Sequence, residues 1–277
     1  MMIAYLNGQW LDAAEAGIPI DDRGFLNGDA VFETGRLADR KYFRLREHLR
    51  RLADGAAALR IDVPPQPELI EVARGLAERN DLTEGALRIT VTRGRGEAGP
   101  PTVLGTLAPL PADWRARAWE GWRVVTASVT HPPASSLAQV KTPGRIHGLV
   151  ARLEAKEAGA DDALLLSPEG FVTEGPSWNI FWREGGHLYT PSLDLGVLEG
   201  VTRTAILELA PRLGLEVVVG QFPAEALDDA EEAFATMTSL GIVPFRTLDG
   251  RLLPEESRDA ARWLTEAYWE LVGREGE

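Results

Sequence analysis

Lysine is scarce in this chain, which narrows the search for chemistry that needs a primary amine. Of the 29 basic residues only three are lysines, and the others are arginines. A lysine amine attacks carbonyl carbon most readily where apolar surroundings lower its pKa. Lys41 lies in a predicted surface hairpin, and Lys156 near the exposed end of a predicted helix. Lys141 follows Leu137 and Val140 and precedes a helix, so we expect it to be the reactive amine.

A second candidate is an anion site at the beginning of a helix. The segment Glu199-Gly200-Val201-Thr202-Arg203 combines a glycine with a threonine where the first N–H groups of the helix are free to bind phosphate. An ordinary capped helix has the same Gly-x-Thr start, so the segment alone leaves both interpretations open. Upstream, Glu174-Gly175 precedes a predicted strand, and an acid beside a glycine commonly marks a turn.

Several motifs lack the context that their chemistry requires. Gly94-x-Gly96-x-x-Gly99 matches the dinucleotide fingerprint, but Pro100-Pro101 follows where a helix would have to begin. We therefore expect a glycine-rich active-site loop instead. The four histidines are widely spaced and the chain has no cysteine, so we predict no metal site and no thiol chemistry.

The elements that position these residues form two blocks, which predicts two domains. Hydrophobic periodicity predicts an amphipathic helix over Leu45 to Leu59, another over Ile146 to Glu157, and strands on either side of each. The pattern fails between Ala108 and Gly121, which indicates a linker. We predict an α+β or α/β fold with a small N-terminal α/β domain at 1–110, a linker at 111–120, and a larger C-terminal mixed-sheet domain at 121–277.

The segment from Glu174 to Arg203 resembles the signature of the class IV aminotransferases, the fold type IV pyridoxal-phosphate enzymes. It reads E-G-x-x-x-N-I-F, then a threonine at 190, then L-x-G-V-T-R. One departure is Pro176, which stands where the family usually has a small residue. Further segments in the family's order extend the resemblance over residues 3 to 250. They are Phe43 to Leu52, Lys141 with the L-E-A stretch at 153–155, and Phe234 to Pro244.

The resemblance implies pyridoxal 5′-phosphate as cofactor and assigns residues to it. Lys141 would be the Schiff-base lysine, which forms the aldimine and moves a proton at the substrate Cα. Glu174 would face the pyridine nitrogen, and Leu198 would pack against the ring. The cofactor phosphate would be bound by residues from three segments, namely Arg44, Val201, Thr202, Met237 and Thr238.

The resemblance defines the reaction less closely than it defines the cofactor. We expect an aminotransferase acting on an amino acid or amine and a 2-oxo acid; the alternative is a 4-amino-4-deoxychorismate lyase on the same scaffold. Branched-chain enzymes have a tyrosine five residues after the lysine, where this chain has Ile146. Phe32 to Leu37 resembles the lyases, as does Arg145. The candidate substrate contacts are Thr34, Arg36, Arg93, Arg95 and Trp178.

The net charge and composition of the chain limit the kinds of molecule that it can bind. The formal net charge of -13 disfavours nucleic acid and anionic lipid, and no segment is typical of a signal peptide or a membrane span. We therefore expect a soluble cytoplasmic protein with small-molecule substrates. The family resemblance further implies a homodimer.

Overall fold

The computed structural model describes residues 2–96, 99–135 and 137–276, which divide into two compact units. The first unit comprises Met1–Pro111, Val140–Gly144 and Val272–Glu277. The second comprises Ala112–Gln139 and Arg145–Leu271. The short segment that carries Lys141 therefore belongs to the first unit, although the chain on both sides of it belongs to the second.

The first unit is an antiparallel sheet with helices packed on it. Its strands follow the order β2-β1-β6-β5-β3-β4. In chain order its elements are β1 (Ile3–Leu6), β2 (Gln9–Asp12), α1 (Arg23–Asn27), β3 (Ala30–Ala38), β4 (Lys41–Phe43), α2 (Leu45–Leu59), α3 (Gln66–Arg79), β5 (Gly85–Thr92) and β6 (Thr102–Pro109).

Local sequence accounts for most of this unit. Asn7 and Gly8 both have positive φ, as a tight hairpin between β1 and β2 requires. Helix α2 has its predicted bounds, and Leu45, Leu49 and Leu52 on one face are buried in the core against the sheet. Strands β5 and β6 pair antiparallel along their length, and no helix begins in the described residues between them, so the dinucleotide fingerprint does not form a βα unit.

The sequence pattern missed one helix of the first unit. Helix α1 is only five residues long, too short to show a hydrophobic period. It begins at Asp22, whose fully buried carboxylate caps the Gly24 N–H at 2.8 Å. The same carboxylate accepts hydrogen bonds from the hydroxyls of Thr92 and Thr102 at 2.9 and 2.7 Å. Asp22 thereby ties the helix to the ends of β5 and β6.

The second unit is built on a mixed sheet, in the order β11-β10-β9-β12-β13-β7-β8 with β14 paired to β13. The pairs β10/β11, β13/β7 and β7/β8 are parallel and the rest antiparallel. Its elements are α4 (Trp114–Glu120), β7 (Trp122–Thr126), α5 (Ile146–Glu157), β8 (Asp162–Leu164), β9 (Asn179–Glu184), β10 (His187–Pro191), α6 (Val201–Leu209), β11 (Glu216–Gly220), β12 (Glu232–Met237), β13 (Gly241–Leu248), β14 (Arg251–Leu252) and α7 (Asp259–Glu275), of which the residues from Val272 onward belong to the first unit.

Helix α4 lies within the stretch predicted as a linker. Trp114 and Ala118, which are four residues apart, are buried, and the Trp114 ring packs edge-on against Trp269 at 5.1 Å between centroids. A seven-residue helix with two inward positions is too short for its period to be recognised. Among the described residues no helix has the length and apolarity needed to cross a membrane.

Candidate active site

Lys141 is held in the first unit by its own backbone and by its neighbour. Its carbonyl oxygen accepts a hydrogen bond from the Phe32 N–H at 3.0 Å, and its Nζ lies 4.9 Å from the centroid of the Phe32 ring. Val140 is buried in the core beneath α2 and β3. Lys141 is half-buried, whereas Lys41 and Lys156 are exposed. The surroundings of the three lysines therefore favour Lys141 as the reactive amine.

A second cation, which the sequence analysis did not single out, lies over the same Phe32 ring as Lys141. The guanidinium carbon of Arg88 lies 3.8 Å from the centroid of Phe32. Arg88 has no ion-pair partner within the described part of the chain. The alternation along β5 could have identified Arg88 from the sequence. Leu87, Ile89 and Val91 are buried on one face of the strand, so Arg88 must point to the other face.

A buried charged cluster on β3 and α2 lies close to this site. Arg51 binds Glu33 through Nε at 2.6 Å and Nη2 at 2.8 Å, and His48 Nδ1 lies 2.9 Å from Glu33. Burial raises the pKa of Glu33, but the ion pair with Arg51 and the hydrogen bonds from His48 and Arg51 outweigh it and lower the pKa to about 2. The pKa of His48 is lowered mainly by burial, with a contribution from the charge of Lys141.

The arginines predicted to contact substrate or cofactor in the first unit are engaged elsewhere. Arg36 is fully buried and pairs with Glu84. Arg93 binds Asp29 through Nε and Nη2 and also donates to two backbone carbonyls, and Arg95 pairs with Asp21 on the surface.

The two other predicted contacts of this unit are Arg44, the N-cap of α2, and Thr34, in the middle of β3. Arg44 has a left-handed backbone, φ 48°, and its Nε binds Glu275 at 2.9 Å. Thr34 pairs with Arg88 across β3 and β5 and is half-buried. Thr34 is therefore the predicted contact that the strand register places beside Arg88.

Glu174 is the central buried carboxylate of the second unit. Its Oε2 accepts hydrogen bonds from Asn179 Nδ2 at 3.0 Å and the Leu198 N–H at 2.9 Å. Its Oε1 lies 3.1 Å from Arg145 Nη1 and 3.4 Å from His131 Nε2. Burial opposes ionisation, but the hydrogen bond from His131, the charges of Arg145 and His131 and the Leu198 N–H bring the pKa of Glu174 below its ordinary value. The carboxylate is therefore ionised at neutral pH.

Two histidines that are distant in the sequence meet beside this carboxylate. The ring centroids of His131 and His147 are 5.7 Å apart. Burial and the nearby positive charges of Arg145 and His131 lower the pKa of His147 to about 4. The sequence offered no signal for this pair because the two residues come from a loop and from α5.

The start of α6 has the features of an anion site. Gly200 is the N-cap and makes no side-chain cap bond, so the N–H groups of Val201 and Thr202 have no capping side chain. A Cβ at Gly200 would lie 2.1 Å from Asn179 Oδ1, so the glycine makes room for the side chain that holds Glu174. This glycine, which the sequence placed in a possible phosphate site, therefore has a protein side chain in the space beside it.

Three other predicted contacts lie close to this helix or in the core. Met237 is buried at the end of β12, and Thr238 begins the turn into β13. Trp178 is buried, packs on Phe245 and donates through Nε1 to Asp162 at 2.9 Å. These contacts favour a packing role for Trp178 over contact with substrate.

The fold and the site define an enzyme built to hold a phosphorylated cofactor for amine chemistry. Residues 30–248 match the family model "Amino-transferase class IV". The chain therefore belongs to the class IV aminotransferases, which are pyridoxal 5′-phosphate-dependent transaminases of fold type IV. The family, the fold class, the activity and the cofactor predicted from the sequence are confirmed.

The chain is also similar over most of its length to individual aminotransferases and to a lyase. The chain is 37% identical to the "Putative branched-chain-amino-acid aminotransferase" of Methanocaldococcus jannaschii, over 91% of this chain and 90% of the relative. It is 32% identical to the aminodeoxychorismate lyase of Bacillus subtilis, over 95% and 92% of the two chains. The crystal structure of the Escherichia coli branched-chain amino acid aminotransferase superposes with a TM-score of 0.91 at 28% identity, covering 100% of this chain and 96% of that one.

The residues present fit the cofactor. The hydroxyl of Thr236 on β12 is buried and has no hydrogen-bond partner among the described residues, and the first turn of α6 has uncapped N–H groups. Amides and a hydroxyl are the donors that a phosphate group accepts from. An ionised, buried carboxylate is the partner that a protonated ring nitrogen requires. The second unit therefore offers a site for each polar end of such a molecule.

Proposed function

We propose that this enzyme transfers an amino group between branched-chain L-amino acids and 2-oxoglutarate, the 2-oxo acid that corresponds to L-glutamate. The observation that carries the substrate class is Arg88, an arginine without a carboxylate partner in the described chain, held over the same ring that Lys141 approaches. A dicarboxylate substrate would place its distal carboxylate on Arg88. An apolar side chain would pack on Phe32 instead.

Each proposed residue has a defined role. The bound cofactor supplies an electron-withdrawing ring and a carbonyl carbon that reacts with amines. Lys141 supplies the amine that holds the cofactor and then takes and returns the proton at the substrate Cα. Glu174 accepts the hydrogen bond of the ring nitrogen. The N–H groups of Val201 and Thr202 bind phosphate oxygens.

We further propose Arg51, in preference to Arg44, as the arginine that faces the cofactor phosphate. Arg44 is turned toward Glu275. Arg51 belongs to the buried cluster with His48, and the charge of Lys141 contributes to the lowered pKa of His48. The two bonds from Arg51 to Glu33, through Nε and Nη2, fix the plane of its guanidinium. A guanidinium held in one plane is well suited to a phosphate oxygen, because little side-chain freedom is lost when the bond forms.

The test is a panel of single half-reactions followed by the absorption of the bound cofactor. Branched-chain L-amino acids and L-glutamate should convert the bound cofactor to its amine form, and 2-oxoglutarate should restore the initial spectrum. Conversion by D-amino acids or (R)-amines alone would contradict the proposal. Release of pyruvate and 4-aminobenzoate from aminodeoxychorismate, with no amino transfer, would favour the lyase that the B. subtilis relative represents.

We also propose that the enzyme is a homodimer. One outer face of α5 is apolar and exposed, at residues three, four and seven positions apart: Ile146 64%, Leu149 58%, Val150 37% and Leu153 53%. Exposed apolar stripes of this kind usually mark a protein interface. Cytoplasmic location stays a prediction from the sequence.

A further inference from the structure

The carboxylate of Glu174 has a neighbouring polar group at each of its acceptor positions. An ionised carboxylate has about four lone-pair positions. Asn179 and the Leu198 N–H occupy Oε2 at 3.0 and 2.9 Å, and Arg145 and His131 lie on Oε1 at 3.1 and 3.4 Å. A ring nitrogen that donates to Glu174 must therefore take the position of one of these four groups.

The four partners are not equally free to leave. The Leu198 N–H is a backbone group, and Asn179 is fixed by a second hydrogen bond to the Leu198 carbonyl at 2.9 Å. His131 is 2% exposed, and its Nδ1 lies 2.9 Å from the carbonyl of Pro132. Arg145 has the longest side chain, is 17% exposed, and its remaining bond to the Ala138 carbonyl is long, at 3.3 Å.

We propose that Arg145 is a displaceable partner of Glu174: its guanidinium occupies the Oε1 position that the ring nitrogen of the cofactor takes, and it leaves when the cofactor binds. The inference rests on the proposed role of Glu174 and adds a competitor to it. After the hydrogen bond from His131, the charge of Arg145 is the next contribution that lowers the pKa of Glu174. Binding of the cofactor then has to break the Arg145–Glu174 ion pair.

Titration of apoprotein with pyridoxal 5′-phosphate tests this competition. Arg145→Met keeps most of the length of the side chain without its charge, and the control is Arg212→Met, an exposed arginine of the same unit. We expect Arg145→Met to bind the cofactor about tenfold more tightly than wild type, because one charge-assisted hydrogen bond no longer has to be broken. Equal or weaker binding would overturn the proposal.

A ligand without a ring separates this effect from a general change in the site. Inorganic phosphate has no ring nitrogen to bring to Glu174, so Arg145→Met should bind it no more tightly than wild type does. An equal gain in affinity for inorganic phosphate and for pyridoxal 5′-phosphate would show that Arg145 does not compete with the ring nitrogen. If wild type binds neither molecule, the proposed function fails rather than this inference.

A second measurement does not depend on the folding of a variant. In a crystal structure of the wild-type enzyme with the cofactor bound, Arg145 should lie beyond hydrogen-bond distance of Glu174. A guanidinium still bonded to Oε1, with the ring nitrogen on the same carboxylate, would refute the displacement.

Discussion

Lys141 and Arg88 approach one aromatic ring: Nζ of the lysine lies 4.9 Å, and the guanidinium carbon of the arginine 3.8 Å, from the centroid of Phe32. Lys141 comes from a five-residue segment and Arg88 from β5, so only the sheet brings them together. The relationship places a cation, which we propose binds a substrate carboxylate, on the same ring as the proposed reactive amine.

Replacement of Arg88 should separate the two substrate classes. In Arg88→Leu we expect kcat/KM for 2-oxoglutarate to fall about a hundredfold, since a charge-assisted bond to the distal carboxylate is lost. Activity with 4-methyl-2-oxopentanoate should be nearly unchanged. The matched control is Arg79→Leu, because Arg79 lies over Trp10 at 4.1 Å elsewhere in the same unit. A parallel loss with both 2-oxo acids would assign Arg88 to structure.

Removal of the Lys141 amine should abolish covalent attachment of the cofactor. Purified wild type should be yellow, and reduction with borohydride followed by denaturation should leave the cofactor on the chain. Lys141→Ala should release all cofactor on denaturation, whereas Lys156→Ala, which removes an exposed lysine, should behave as wild type. Attachment that persists in Lys141→Ala would identify a different lysine.

The Glu33–Arg51 pair should contribute stability that depends on pH. The folded-state pKa of Glu33 is lowered from 4.5 to about 2. Its contribution, about 3 kcal/mol by linkage, is therefore present in full above the unfolded pKa and is lost as the pH falls toward the folded pKa.

Unfolding by urea at several pH values measures this contribution. Glu33→Gln should be several kcal/mol less stable than wild type at pH 7, because Arg51 loses its buried partner. The difference should shrink steadily as the pH is lowered from 4.5 toward 2. A difference that is constant over this range would show that the charge of Glu33 is not responsible.

A methyl group at Gly200 should disturb the carboxylate site. The new Cβ would lie 2.1 Å from Asn179 Oδ1, so Asn179 would have to leave Glu174 or the helix start would have to move. We expect Gly200→Ala to lose about 1–3 kcal/mol of stability and to bind the cofactor more weakly. Gly17→Ala, where a Cβ meets nothing within 4 Å, is the control and should match wild type in both measurements.

A charge on the outer face of α5 should prevent dimer formation. Leu149→Glu and Leu153→Glu place a carboxylate on the apolar stripe, and analytical ultracentrifugation should show a monomer at concentrations where wild type is a dimer. Leu252→Glu changes an equally exposed leucine of β14 and should leave the dimer intact. Dimers in all three variants would move the proposed interface to another surface.

The sequence by itself determined what depends on local pattern. The period of α2 and α5, the Asn7-Gly8 hairpin and the alternation of β5 follow from side-chain spacing, and the scarcity of lysine singled out Lys141. The E-G-x-x-x-N-I-F and G-V-T-R segments identified the family by resemblance, which residues 30–248 confirm by matching the family model.

Only the tertiary structure decided which charged side chains are committed to one another. Arg36, Arg44 and Arg93 resemble free cations in the sequence, yet each binds a carboxylate: Glu84, Glu275 and Asp29 respectively. Arg88 and Arg145, which were not among the predicted contacts, have proposed roles that follow from β-sheet register and from the fold around Glu174. An ion pair depends on distance in space, and sheet pairing brings together residues that no sequence period connects.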